Sequence, residues 1–135
     1  MRSLWRIPRL LVAVVLLVVA CGDDGGSAAP DTTLSAAAEE GREIAQQYGC
    51  MSCHSVDGRD GVGPSWAGVF GTEVELDDGT TVVADEEYMT TAIVDPNAQI
   101  RAGYRGIMPE RQLDPAEVEA IVTYLRELGP DEAAS

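Results

Sequence analysis

The sequence contains no lysine and a single histidine, His54. All nine of its basic residues are arginines, set against 23 aspartates and glutamates, for a formal net charge of −14. So little positive charge disfavours nucleic acid and bare anionic lipid as partners. The missing lysines exclude a lysine-lined docking face and leave no side-chain amine to bind a metal. A structural zinc site of four Cys/His ligands would have to use the one histidine and all three cysteines. Aromatic residues make up only 5% of the chain, with one phenylalanine, so a small domain has little apolar core of its own. No apolar run is long enough to cross a bilayer comfortably. The longest, Leu10 to Ala20, covers only about half of the hydrocarbon core as a helix.

That run is instead placed like the core of a secretory leader, because Arg2, Arg6 and Arg9 precede it. It ends in Val18-Val19-Ala20-Cys21, which resembles a bacterial lipobox, in which cleavage leaves an acylated cysteine as the first residue. Residues 1–20 are therefore expected to be a lipoprotein signal peptide and Cys21 the lipid attachment site, with several acyl chains giving stable membrane residence. The alternatives are an ordinary soluble leader cut nearby or an uncut short anchor. Either export route places the protein in the bacterial cell envelope, and the lipid form on the outer face of the cytoplasmic membrane. Residues 21–35 are small, acidic and nearly free of large apolar side chains, so they read as a flexible tether. A single domain is expected over 36–129 and a short tail over 130–135, with no internal repeat.

The chemistry starts at Cys50-Met51-Ser52-Cys53-His54, a C-x-x-C-H motif. Two thiols at this spacing can add to the two vinyl groups of one porphyrin, and the adjoining imidazole reaches the iron from the proximal side, so the motif reads as covalent attachment of one haem c. A thioredoxin-like redox pair is the competing reading of the two cysteines. If Cys21 goes to lipid and Cys50 and Cys53 go to haem, no cysteine is left for a disulfide.

Helical periodicity predicts a first helix over Ala36 to Tyr48, with Ala37, Gly41, Ile44, Ala45 and Tyr48 on one face. Gly41 costs about 1 kcal/mol inside a helix, which predicts a second backbone close by. A glycine-rich loop follows the C-x-x-C-H motif. A hairpin is then expected, with Val74 and Leu76 facing Thr81 and Val83 across Asp77-Asp78-Gly79. Asp85 is positioned to cap a helix that runs to about Val94 and is ended by Pro96. The last helix has the strongest start signal: Asp114 as N-cap, Pro115 next, Glu117 for a capping box, and Leu113 with Val118 as a staple. Val118, Ile121, Val122, Leu125 and Leu128 should form its buried face, with Tyr124 at the edge. First and last helices are expected to cross at Gly41.

The sixth iron ligand comes from a short list, because no second histidine and no lysine exist. Met1 leaves with the leader, Met51 lies inside the attachment loop, and Met89 falls mid-helix. Met108, in the loop Gly106-Ile107-Met108-Pro109, remains as the soft thioether suited to an electron-transfer haem. The alternative is an open or water-bound sixth position.

Taken in order, several stretches carry a family likeness: Gly49-Cys50-Met51-Ser52-Cys53-His54-Ser55, Gly63-Pro64, Gly68-Val69-Phe70-Gly71, Leu76-Asp77-Asp78-Gly79, Ala84-Asp85-Glu86-Glu87-Tyr88 and Met108-Pro109. The segment from Gly41 to Leu128 resembles a class I c-type cytochrome, and in particular the cytochrome c domain of subunit II in bacterial caa3-type cytochrome oxidases. That resemblance implies an all-α cytochrome c fold of three to four helices around one haem, with a short β-hairpin insertion. It also implies thioether bonds at Cys50 and Cys53, His54 as proximal and Met108 as distal ligand. Pro64 would set its loop against the imidazole, and Gly103-Tyr104 would shape the distal pocket or touch a propionate. The copper ligands and membrane hairpin of subunit II are missing, so the expectation is the cytochrome module alone on a tether.

The function expected from all this is single-electron transport in a respiratory chain, without enzyme activity, probed by redox protein partners such as a terminal oxidase, a quinol-oxidising complex or a dehydrogenase. The alternatives are a permanent haem subunit of such a complex, or a haem sensor or peroxidase-like protein with an open sixth site. The excess of carboxylates serves either docking to a basic partner or solubility.

Overall fold

The computed structural model describes residues 33–129. The expected signal peptide, Cys21, most of the tether and the tail over 130–135 lie outside the described residues. Three helices carry the fold: α1 over Ala36–Gln47, α2 over Glu86–Val94 and α3 over Pro115–Glu127. A 3-10 turn at Cys50–Ser52 and an antiparallel pair, β1 over Glu73–Glu75 and β2 over Thr81–Val83, complete the regular structure.

Each helix begins on a side chain that accepts from an otherwise unpaired first-turn amide. Ser35 accepts from the Ala38 amide, Asp85 from Tyr88 and Asp114 from Glu117. Glu117 returns a bond to the Asp114 amide, so the capping box forms as its sequence predicts. The Ser35 amide and hydroxyl both donate to the Glu127 carboxylate, at 2.8 and 2.7 Å, which fastens the start of α1 to the end of α3.

The contact between α1 and α3 is the most extensive between helices. It closes on Gly41, where an added Cβ would stand 2.0 Å from the Ala120 carbonyl oxygen. The backbone approach that Gly41 signals in the sequence is therefore real. Ala38, Ala45, Val118, Ile121, Val122 and Leu125 of these two helices belong to the core, joined by Trp66, Val74, Ala84 and Met89. Tyr124 departs from expectation. It is 2% exposed, not at the edge of the buried face, because Trp66 from the loop after the C-x-x-C-H motif lies against it edge to face. Leu128, expected in the buried face, is only partly buried at the helix end.

The hairpin forms in a different register from the expected one. Val74 pairs with Val82 and Glu75 with Thr81, while the Leu76 amide bonds the Thr80 carbonyl. Gly79, at φ 84°, closes a three-residue loop, and such a loop fixes the pairing by its own geometry. A slip of one residue exchanges faces, so Val82 turns inward and Val83 is 49% exposed. The hairpin then supports the chain around Arg101: Leu76 bridges Arg101, the Asp77 amide donates to Ile100, and the Ala102 amide donates to Glu75.

Candidate haem-binding site

The C-x-x-C-H segment starts directly from the end of α1. Gly49, at φ 75°, turns the chain out of the helix, and the tight turn of Cys50–Ser52 brings Cys50, Cys53 and His54 to one wall of a cleft. Amides of Cys53 and His54 both bond the Cys50 carbonyl. The two cysteines form no disulfide and are half-buried, and burial raises the pKa of the Cys50 thiol, with smaller effects from neighbouring groups.

The loop after His54 folds back beneath the ring. The Gly63 amide donates to Cys53 and the Trp66 amide to Ser55, at 3.0 and 2.8 Å. Asp60 accepts from the Ser65 amide, and that bond, followed by the Tyr104 hydroxyl, lowers its pKa. His54 Nδ1 lies 2.8 Å from the Pro64 carbonyl oxygen. A carbonyl can only accept, so Nδ1 carries the proton and Nε2 keeps its lone pair for a metal. Burial lowers the His54 pKa, partly opposed by the Pro64 bond, which favours the neutral ring.

Two more groups close on the imidazole. A Cβ at Gly63 would lie 2.5 Å from Cε1 and 2.8 and 2.9 Å from the two ring nitrogens. Distances so nearly equal place it over the ring face, so only a glycine fits. Trp66 stacks on His54 with centroids 4.9 Å apart and planes 18° from parallel.

The rest of the cleft comes from distant parts of the chain. Tyr88 and Ala92 of α2, Gln99, Ile100, Tyr104 and Met108 all line the same space, as do Tyr48 and Pro64. The cleft has a cavity volume of about 200 Å³ and opens to solvent. Met108 is thus brought to the cleft that holds His54. Met89 packs in the core, and Met51 packs against it. Tyr104 lies in the cleft wall as well, its pKa raised by partial burial and then by Asp60.

These residues fit a haem. The cleft is mostly apolar, with Cys50, Cys53 and an imidazole at one wall and a thioether among the other lining groups. Gln99 Oε1 is buried without a hydrogen-bond partner among the described residues, an unmet polar group in the wall of this cleft. Among the described residues no group of three or more His, Cys, Asp or Glu is arranged for a metal.

Charge is distributed unevenly around the cleft. Arg42, Arg59 and Arg126 form ion pairs with Glu39, Asp57 and Glu86. Arg101, Arg105 and Arg111 line the cleft instead. Sequence reasoning foresaw neither this segregation nor the contacts of Gly63 and Trp66 with His54 nor the place of Gln99, although Gly63-Pro64 is among the stretches that carry the family likeness. Trp66 carries no periodic signal, being two residues beyond Pro64 in an irregular loop.

Comparison with known proteins shows the family of this chain. The family model described as Cytochrome c matches residues 38–129. Cytochrome c2 iso-1 of Magnetospirillum molischianum is 32% identical over 89 residues, covering 57% of this chain and 87% of that protein. Cytochrome c2 of Rhodoplanes tepidamans is 31% identical over 88 residues, covering 57% and 88%. Among solved structures, cytochrome cH from Methylobacterium extorquens is 25% identical with a TM-score of 0.49, covering 66% of this chain and 96% of that one.

Proposed function

This chain belongs to the cytochrome c family, and we propose that His54 and Met108 are the axial ligands of its haem iron and that it works tethered to a membrane. As a family member it carries one haem c, covalently attached through its C-x-x-C-H motif, and it is an electron carrier, not an enzyme.

When bound, the haem supplies an iron centre that gains and loses one electron without bond chemistry on a substrate. Cys50 and Cys53 hold it by thioether bonds. His54 offers Nε2, kept unprotonated because Nδ1–H is committed to Pro64. Met108 offers a thioether, which raises the reduction potential and suits donation to a terminal oxidase or copper centre. Ile100 and Pro96, with the ring of Tyr88, give the site an apolar lining. The single observation that carries the ligand reading is the convergence of Met108 and His54, far apart in sequence, on one cleft that excludes Met89.

Membrane tethering is supported by the sequence pattern ending at Cys21, and an extracytoplasmic location follows from the same leader. A terminal oxidase as electron acceptor is supported by the likeness to the caa3-type cytochrome domain. Met108→Ala tests the ligand reading: haem stays covalently attached, the methionine–iron absorption band of the ferric form disappears, and the ferrous form gains carbon monoxide binding. An unchanged band would transfer the role to another group.

A further inference from the structure

The Pro64 hydrogen bond fixes which nitrogen of His54 carries the proton, but one bond leaves the ring free to rotate. Hydrogen bonds lose strength steeply only when the donor angle falls toward about 120°, so a range of ring tilts keeps the Pro64 contact. Gly63 supplies a backbone surface against the ring and no side-chain contact of its own. Among the described residues, the ring stacked on the imidazole is Trp66, 18° from parallel and with centroids 4.9 Å apart.

Trp66 is itself immobilised from several directions. It is 8% exposed, its amide donates to Ser55 at 2.8 Å, and its ring stands at 90° to Tyr124 with centroids 6.2 Å apart. Tyr124 is among the largest fully buried side chains and projects from α3, the helix that packs on α1. A rigid aromatic series therefore runs from the interhelical core to His54. An aliphatic side chain could fill the same space, but it has no plane to impose on the imidazole.

We propose that Trp66 is a positioning residue for the axial histidine: its stacked ring selects one rotation of the His54 imidazole, and so one orientation of that ring against the porphyrin. The proposal rests on His54 being an iron ligand. The ring orientation determines how the imidazole π orbitals meet the iron d orbitals. A single orientation gives a single set of g values in the ferric low-spin spectrum, and a distribution of orientations gives broadened or multiple sets.

The test is electron paramagnetic resonance of the ferric holoprotein, with the reduction potential measured alongside. Trp66→Leu removes the plane and is expected to broaden or split the low-spin signal and shift the potential. Trp66→Phe keeps a stackable ring and is expected to restore one narrow signal. Trp66→Met, unbranched and able to fill the cavity, replaces the leucine variant if that one fails to accumulate, with the same expected broadening. Aliphatic variants that melt earlier but keep the parent's line width and potential overturn the proposal and leave Trp66 as core packing. The parent spectrum separates the two claims. A parent without a histidine-ligated low-spin signal sinks the ligand reading before any variant is made, whereas a low-spin parent with unaltered variants sinks only the role of Trp66.

Discussion

Gly41→Ala pits helix propensity against tertiary packing, and the two predict opposite signs. In an isolated helix the change is favourable by about 1 kcal/mol, because alanine loses less backbone entropy than glycine. In this protein the new Cβ would lie 2.0 Å from the Ala120 oxygen, 2.4 Å from the Ala120 carbonyl carbon and 2.9 Å from the Ile121 nitrogen. Those atoms are backbone and cannot rotate away. Ordinary contact needs roughly 3.5 Å, so the helices must part by about 1.5 Å. A gap of 0.5–1 Å already forfeits about a quarter to a half of each dispersion contact, and α1 against α3 is where Ala38, Ala45, Ile121 and Leu125 are buried. Overpacking of this kind costs about 1–3 kcal/mol and sometimes more. Because the obstruction is rigid, the upper part of that range applies, and a net loss of about 2 kcal/mol remains after the propensity gain is subtracted. For a domain of this size that lowers the melting temperature by roughly 8–16 °C. Denaturant unfolding of the holoprotein, followed by far-ultraviolet circular dichroism, reads the shift in midpoint. Ala37→Gly, at an exposed position of the same helix, supplies the propensity scale on its own, with a loss of about 1 kcal/mol. A Gly41→Ala protein as stable as the parent, or more stable, would refute the close crossing as the reason for this glycine.

Three further outcomes follow from charge, capping and anchoring. Arg105→Glu combined with Arg111→Glu should slow oxidation by ferricyanide several-fold at low ionic strength, because both arginines line the cleft, and the difference should fade as salt shortens the screening length to about 8 Å or less; stopped-flow rates independent of both changes would place electron exit elsewhere. Glu127→Gln weakens the clasp on Ser35, whose hydrogen bonds lower the Glu127 pKa below its ordinary 4.5; a depressed carboxylate stabilises the fold above its unfolded pKa and loses that contribution as pH falls through the folded one, so the variant should be less stable than the parent at neutral pH and indistinguishable from it once both are acidified below that point, and a stability gap that persists in acid would contradict the ionic origin. Cys21→Ser should abolish fatty-acid incorporation and release the protein from the membrane or leave it as precursor, and labelled lipid that survives the change would sink the lipoprotein reading.

What the sequence determined by itself were the features set by local covalent chemistry and short-range hydrogen bonding. The spacing of Cys50, Cys53 and His54 announces haem attachment because the reaction depends on neighbouring residues alone. Asp85 and the Asp114–Glu117 pair announce helix starts because a cap acts within one turn. Elimination narrowed the candidate sixth ligand to Met108 because lysine and a second histidine are missing, and Gly41 betrayed the crossing because a glycine inside a helix is costly without a reason.

Only the tertiary structure decided what depends on residues distant in the chain. Hairpin register follows from the three-residue loop ending in Gly79, which shifted Val82 inward against the alternation read from Val74 and Leu76. Tyr124 became buried because Trp66, from another segment, stands against it. The distribution of the arginines among the described residues, three paired with carboxylates and three around the cleft, is a property of the folded surface to which composition is blind. So is the surrounding of His54: a carbonyl at Pro64, a missing side chain at Gly63 and a stacked ring at Trp66 meet at one imidazole only because the loop folds back beneath it. A local pattern names the atoms that can react, but their orientation is set by contacts that no short window of sequence contains.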